Sequence, residues 1–225
     1  MDILNIFILA VIQGITEFLP ISSSSHLILL PLLTNYPDQG LGFDIAVHTG
    51  SLLAIIAFYK NELKKMYLLT DEGLKYLKMI IVASIPLPFF GLLFVDFISD
   101  IFRNLQSIGL MTIIFGLLLY FADRKSDGTQ NIANLSIMLI LVIGLFQSLA
   151  LVPGISRSGI VITACLLLNL SRDESIKVAF MLSIPALLMA SLYQGMKLYE
   201  SENITIISDN IIGVILSFIF SYLTI

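Results

Sequence analysis

Two ionisable side chains stand where an apolar sequence has no ordinary use for charge. Between Asp2 and Asp38 the only charged residue is Glu17, and between Asp127 and Arg172 the only one is Arg157. Burying either alone at bilayer depth costs roughly 2.5 to 3.5 kcal/mol even on lenient insertion scales, so each requires a partner or water. Glu17 reads either as a structural ion pair that locks the fold or as a general base or metal ligand, and intramembrane carboxylates are functional by default. Arg157 reads either as packing against helix-end carbonyls or as an anion clamp. Its setting, Pro153-Gly154-Ile155-Ser156-Arg157-Ser158-Gly159, favours the clamp: a guanidinium is a planar fork of donors, and backbone N–H groups at a helix start add positive potential.

A cluster of hydroxyls accompanies the acid. Ser22, Ser23, Ser24 and Ser25 are followed at once by His26. Serine clusters usually cap helices or solvate turns. A serine nucleophile, however, needs a nearby base, and neutral imidazole is the usual one. Gln13 lies four residues before Glu17, so the two share a helical face. His48 reads equally as a polar residue at a helix end and as a substrate contact. Carboxylate, hydroxyl, imidazole and guanidinium together are the parts for phosphoryl transfer: nucleophile, proton handler, and cation to neutralise phosphate oxygens. One carboxylate with Gln and Ser oxygens also suits Mg²⁺ or Ca²⁺ shared with a substrate phosphate. No Walker-type loop or zinc-ligand cluster is present. A substrate carrying phosphates on a lipid tail explains why such chemistry sits in a membrane.

The elements that must position these groups are helices. Of 225 residues, 57% are hydrophobic and only 12% charged, about half the charge of a soluble domain; a disordered chain is excluded. The length allows at most about eight to ten membrane crossings. Apolar stretches run from Ile3 to Leu33, Ile45 to Tyr59, Met79 to Phe97, Ile108 to Ala122, Leu135 to Leu170, Ile176 to Met196, and Ile211 onward. Each is helical by default, since unpaired backbone groups are too costly in lipid and no alternating barrel pattern occurs. The first and fifth are too long for one crossing, and each is broken centrally by Pro, Gly and Ser. Irregular backbone at that depth is tolerated where protein or a wet cavity surrounds it. Aligning Gln13 with Gln147 brings Ile21-Ser22-x-Ser24 onto Ile155-Ser156-x-Ser158, a weak internal repeat of the transporter-like kind.

Lys60, Lys64, Lys65, Lys75 and Lys78 cluster in one polar stretch, Arg124 and Lys125 in another, Arg172 and Lys177 in a third. By the positive-inside rule these are cytoplasmic, while 35–44, 96–103 and 200–209 face outward. The two broken segments then enter from opposite faces, their tips meeting within the membrane. The expected fold is all-α: a single polytopic membrane domain over 1–225, with halves roughly 1–100 and 101–225, an inverted-topology repeat, two re-entrant helix hairpins and an external N-terminus. Ser171 and Glu174 have the capping-box spacing and predict a helix from there through Ala190. Cys165, the one cysteine, reads as core filler. Met1-Asp2 opens no basic signal-peptide start.

The sequence resembles the undecaprenyl-diphosphate phosphatases of the bacitracin-resistance type. The likeness rests on Gln13-Gly14-Ile15-Thr16-Glu17-Phe18-Leu19-Pro20-Ile21-Ser22-Ser23-Ser24-Ser25-His26, similar to that family's [E/Q]xxxE with a serine-rich turn and His, and on the P-G-x-S-R-S-G run at 153–159. Phe43-Asp44 leading to Gly50-Ser51-Leu52-Leu53-Ala54 is a weaker match. The resemblance implies metal-dependent hydrolysis of undecaprenyl diphosphate to the monophosphate carrier, recycling it for peptidoglycan synthesis and conferring bacitracin resistance. The site would open toward the outer face of a bacterial cytoplasmic membrane. It also implies roles: Glu17 handles metal or a proton, His26 is acid or base, Arg157 binds phosphate, and Ser23 is the nucleophile with Ser22 its competitor. Gln13, Ser22, Ser24, Gly154, Ser156 and Ser158 complete the expected substrate site. The family's interlocked inverted repeats agree with the architecture read from breaks and cations. Two departures are Ser25, where a small residue such as Gly is common, and the stop at Ile225, where relatives continue through a basic stretch and another helix, implying a truncated end. The expected partners are a polyprenyl diphosphate and membrane lipids, with no nucleic acid, and a homodimer is compatible. The competing reading is a secondary transporter or lipid-phosphate flippase, which shares the broken helices but has no need of a Ser-His cluster beside a carboxylate.

Overall fold

The computed structural model describes residues 2–34, 38–200 and 208–225. In chain order the helices are α1 (Ile3–Thr16), α2 (Ser23–Thr34), α3 (Gly40–Phe58), α4 (Lys60–Tyr67), α5 (Asp71–Ser84), α6 (Pro86–Phe102), α7 (Leu105–Lys125), α8 (Ile137–Ser148), α9 (Arg157–Leu167), α10 (Arg172–Glu200) and α11 (Ser208–Thr224). Short 3₁₀ turns cover Ile132–Asn134 and Leu149–Leu151. The described residues form no strand beyond one isolated bridge, Gln130 to Leu170.

Four helical stretches are long and apolar enough to cross a membrane: Gly40–Phe58, Asp71–Ile98, Leu105–Lys125 and Arg172–Met196. The chain is a polytopic helical membrane protein. The two overlong apolar runs resolve differently. Each is a pair of short helices packed on one another, α1 with α2 and α8 with α9. These helices have 14, 12, 12 and 11 residues, and 14 residues span only about 21 Å at 1.5 Å each, against a core of about 30 Å. Between them the backbone leaves the helix at 17–22 and 152–156.

Local signals fix the ends. Thr70, Asn104, Ser136, Ser156 and Ser171 accept backbone N–H bonds from residues three positions on, capping α5, α7, α8, α9 and α10. Pro86 opens α6, where its missing N–H costs nothing. The predicted cap at Ser171 forms, while Glu174 turns its carboxylate to the N–H of Ile132 at 3.3 Å. Cys165 is fully buried.

The chain divides into two compact units. The first comprises 1–19, 23–58 and 184–225. Ile6, Leu9 and Ala10 of α1, Leu27 of α2, and Phe43 and Val47 of α3 form its core, with Ile212 and Leu216 of α11 packed against them. Helices in lipid gain little from hiding apolar surface, so close fit decides packing. At Gly50 a Cβ would lie 2.4 Å from the carbonyl oxygen of Val214; only glycine lets α3 and α11 approach so closely.

The second unit comprises 20–22 and 59–183. Here α8 packs on α5 and α6, and α9 on α7. Pro20 also lies against α9, its Cβ 3.2 Å from where a Cβ at Gly159 would stand. Polar loops are clasped at the cation-bearing end. Arg172 makes a two-pronged pair with Asp123 at 2.6 and 2.9 Å, Ser126 donates to the Leu170 carbonyl, and the Gln130 N–H to that of Asn169. Lys177 sits 4.3 Å over the Tyr76 ring. Exposed Lys65 pairs with Glu72 at 2.8 Å, and that carboxylate raises the Lys65 pKa. At the α3–α4 junction, burial and the nearby Glu62 push the Tyr59 hydroxyl up to about 12, so it stays protonated.

Candidate active site

The end of α1 carries the acid. Glu17 is the residue after the last turn, still in right-handed helical conformation, with its N–H bonded to the Gln13 carbonyl at 3.0 Å. The four-residue spacing does what it predicts: Gln13 Nε2 donates to Glu17 Oε2 at 2.9 Å. Both side chains are buried. The break then returns the chain through Ser22, which adopts a left-handed φ of 57°. A non-glycine residue there costs roughly 1–2 kcal/mol, and the turn brings Ser23, the first residue of α2, back to the acid. Ser23 donates its hydroxyl proton to the same Oε2 at 2.5 Å. Of the serine cluster, Ser22, Ser23 and Ser25 are buried and Ser24 is exposed. His26 is half-buried, one turn beyond Ser23.

Helices α3 and α11 furnish support that the sequence reading weighed too lightly or missed. His48 Nδ1 is 2.7 Å from the Asp44 carbonyl, and its Nε2 is 3.8 Å from Glu17 Oε2. Ser51, one turn on, accepts from Gln13 Nε2 at 3.3 Å and from Ser221 at 2.9 Å, and donates to the Val47 carbonyl. Ser217 lies 3.1 Å from Ser51 and donates to the same Val47 carbonyl at 2.6 Å. Gln13, Ser51, Ser217 and Ser221 are all wholly shielded from solvent. The available signal was modest: serines four apart on α11, and Ser51 three after His48.

The orientation of Gln13 is fixed by chemistry. Only its NH₂ can bond a carboxylate, so the amide oxygen faces away, and that Oε1 is a buried acceptor with no hydrogen-bond partner. Among the described residues no three His, Cys, Asp or Glu side chains gather as a metal site. Oxygen donors at this locus therefore come from the Glu17 carboxylate and the hydroxyls beside it.

The second break is a tight glycine turn that leads into a helix start. Gly154 has φ 99°, and a Cβ there would stand 2.5 Å from the Ile108 carbonyl oxygen, so glycine is required twice over. Thr112 of α7 ties the turn down by donating to the Gly154 carbonyl at 3.1 Å. Ser156 caps α9, accepting from the Gly159 N–H at 3.2 Å, and lies 3.1 Å from Ser158 Oγ. Arg157, half-buried, is the first residue of α9, where the helix dipole adds to its own charge. Upstream, Gln147 is as deeply buried as Gln13 but spends its Nε2 on the Ala83 carbonyl at 3.4 Å.

The geometry thus gathers Gln13, Glu17 and Ser23, with His48 and Ser51 beside them, and separately Gly154, Ser156, Arg157 and Ser158. A cleft of about 460 Å³ lined by Asp123, Ser126, Asp127, Gly128, Ser171, Arg172 and Asp173 contains none of the predicted residues.

The family described as Bacitracin resistance protein BacA matches residues 6–225. An undecaprenyl-diphosphatase of Saccharophagus degradans is 44% identical over the whole chain and 88% of its own length. One from Teredinibacter turnerae is 43% identical over 89% of this chain and 80% of its own. A third, from Campylobacter concisus, is 43% identical over 99% and 88%.

Proposed function

Because the chain belongs to the bacitracin resistance protein BacA family, we propose that the acid–hydroxyl pair at the first break is the hydrolytic centre of an undecaprenyl-diphosphatase. The protein removes the outer phosphate of undecaprenyl diphosphate, giving undecaprenyl phosphate and inorganic phosphate. The observation that carries this assignment is the buried Glu17 carboxylate receiving the Ser23 hydroxyl at 2.5 Å. That is the contact a serine nucleophile requires of its base.

Ser23 Oγ attacks the outer phosphorus as its proton passes to Glu17. The bond from that phosphorus to the bridging oxygen breaks, and undecaprenyl phosphate leaves. Glu17 yields that proton to the departing undecaprenyl phosphate; water then attacks the phosphorus, and its proton passes through the Glu17 carboxylate to Ser23 Oγ as the bond from phosphorus to serine breaks. Arg157, at the start of α9, is assigned to phosphate oxygens, whose charge a guanidinium there would offset. Ser158 and the Gly154 turn shape that cradle. Ser22, held left-handed, orients Ser23 rather than reacting, and His26 serves the leaving group. The bond of Gln13 to Glu17 keeps the carboxylate aimed.

A divalent cation fits this locus. The Glu17 carboxylate, with the Ser23 hydroxyl beside it, is a hard oxygen donor of the kind that would hold Mg²⁺ or Ca²⁺ jointly with a substrate phosphate. When bound, such an ion supplies further neutralisation of phosphate charge. The short helix pairs α1–α2 and α8–α9 are re-entrant hairpins of an inverted repeat, the cation-bearing loops are cytoplasmic, and the site serves the outer face of the cytoplasmic membrane. Product release there returns the carrier lipid to cell-wall synthesis.

The deciding experiment is release of inorganic phosphate from undecaprenyl diphosphate by purified protein in detergent, comparing Ser23→Ala, Glu17→Ala and Arg157→Ala. Each substitution is expected to abolish most turnover. Full turnover by Ser23→Ala would transfer the nucleophile's role to Ser22 or water, and full turnover by all three would overturn the assignment.

A further inference from the structure

Helix α2 carries Ser23 and His26 in its opening turn and has a proline, Pro31, in its interior. Proline has no N–H, so the helical bond to the carbonyl four residues back, that of Leu27, cannot form, and the proline ring pushes that carbonyl aside. Leu27 is buried, and a carbonyl there needs another donor. One comes from just before α3. Gln39 Nε2 lies 3.4 Å from the Leu27 carbonyl and 2.8 Å from Asp44 Oδ1. Both acceptors are served at once, because an amide nitrogen has two protons. The amide oxygen is left buried with no hydrogen-bond partner, so the group is turned wholly to its donor side. Asp38 Oδ1 accepts from the Gly40 N–H at 2.8 Å, closing a turn around Gln39, and Gly40 has a left-handed φ of 77°. The backbone of Gln39 is thereby fixed before its side chain reaches α2.

The other end of this tie leads to the acid. Asp44 stands one turn before His48, whose Nδ1 lies 2.7 Å from the Asp44 carbonyl, and Ser51 of the same helix accepts from Gln13. Gln39 therefore joins the helix that brings the hydroxyl to the helix that braces the glutamine behind Glu17. We propose that Gln39 is a positioning residue for hydrolysis: by taking up the carbonyl that Pro31 leaves at Leu27, it sets α2 against α3 and holds Ser23 and His26 in register with Glu17. The role rests on the hydrolase reading above. Its partners are Leu27 and Asp44, so Gln39 acts through α2 and not at the phosphate.

The test uses the purified full-length chain in detergent, with phosphate release from undecaprenyl diphosphate and amide hydrogen exchange over 23–34 as readouts, each variant assayed below its thermal midpoint. Gln39→Met keeps the length of the side chain and removes the donor. Its kcat is expected to fall about tenfold or more, since small misplacements of reacting groups cost that much, with KM within about twofold. Exchange in α2 should quicken about fivefold or more. Gln39→Ala must give the same pattern. Pro31→Ala supplies an N–H at position 31 that can take the Leu27 carbonyl itself. Added to Gln39→Met, it is expected to bring kcat back to within about threefold of native and to restore slow exchange. Native kcat in Gln39→Met overturns the positioning role, as does a lowered kcat that Pro31→Ala fails to restore. A native chain that releases no phosphate overturns the hydrolase reading, and the role in turnover with it. Exchange still decides the tie in that case, and unchanged exchange in Gln39→Met overturns it.

Discussion

The two broken helix pairs share one plan and carry opposite charges, Glu17 in one and Arg157 in the other. In each, a fully buried glutamine stands near the end of the first helix, and a turn with one left-handed residue follows, Ser22 in one and Gly154 in the other. A helix then begins, opened by Ser23 in one and by Arg157 in the other. The difference lies in what the glutamine holds. Gln13 Nε2 holds the Glu17 carboxylate, whereas Gln147 Nε2 holds the carbonyl of Ala83. Four residues after Gln147 stands Leu151, where the first break has its acid. In the proposed mechanism the first break handles the proton and the second, with Arg157 at a helix start, takes the anion. A chain that leaves the helix inside a packed bundle supplies buried polar positions, and the two breaks differ in the charge placed on them.

That contrast can be broken at several points. The largest expected effect is Glu17→Gln, which keeps the hydrogen bonds but not the base; phosphate release should fall about 10²–10⁴-fold, and a loss under tenfold would remove Glu17 from proton transfer. Arg157→Lys keeps the charge without the planar fork. Its kcat/KM is expected to drop about 10²-fold or more, and full activity would mean that a point charge suffices. Gly154→Ala imposes a Cβ on a φ of 99° and a 2.5 Å approach to Ile108, so a stability loss of about 1–3 kcal/mol is expected, read as a lowered thermal midpoint. Gln147→Ala should cost about 1 kcal/mol with turnover retained. Gln13→Ala should lose turnover instead, and equal behaviour of the two glutamines would erase the contrast. The smallest effect is expected at Ser221→Ala, which removes one donor to Ser51; turnover should fall only a few-fold, with KM unchanged, since it acts on the carboxylate through Gln13.

Much of the architecture was legible because lipid leaves few options. Apolar runs had to be helices, and the Pro-Gly-Ser interruptions in two overlong runs had to be breaks. The breaks fall at 17–22 and 152–156 as those residues suggested. The pairing of Gln13 with Glu17 followed from helical spacing alone. Helix α4 was not legible: it is a short amphipathic turn set in a charged loop, with no long apolar run to announce it. Nor was the start of α3 at Gly40, five residues ahead of the apolar stretch. His48 remained undecided because a lone histidine on an apolar helix carries no sign of what it faces. The serines of α11 looked like the ordinary small residues of a membrane helix.

The sequence by itself determined the helical class, the two breaks, and the isolation of one acid and one guanidinium, because each follows from the cost of exposing backbone or charge to lipid, a local property of the chain. Tertiary structure alone decided that Ser23 reaches Glu17, that His48 faces the same carboxylate, and that Ser51, Ser217 and Ser221 join behind Gln13. Those contacts join residues as far as 170 positions apart. They depend on how closely glycine-marked helices approach, a matter of packing that no local pattern encodes.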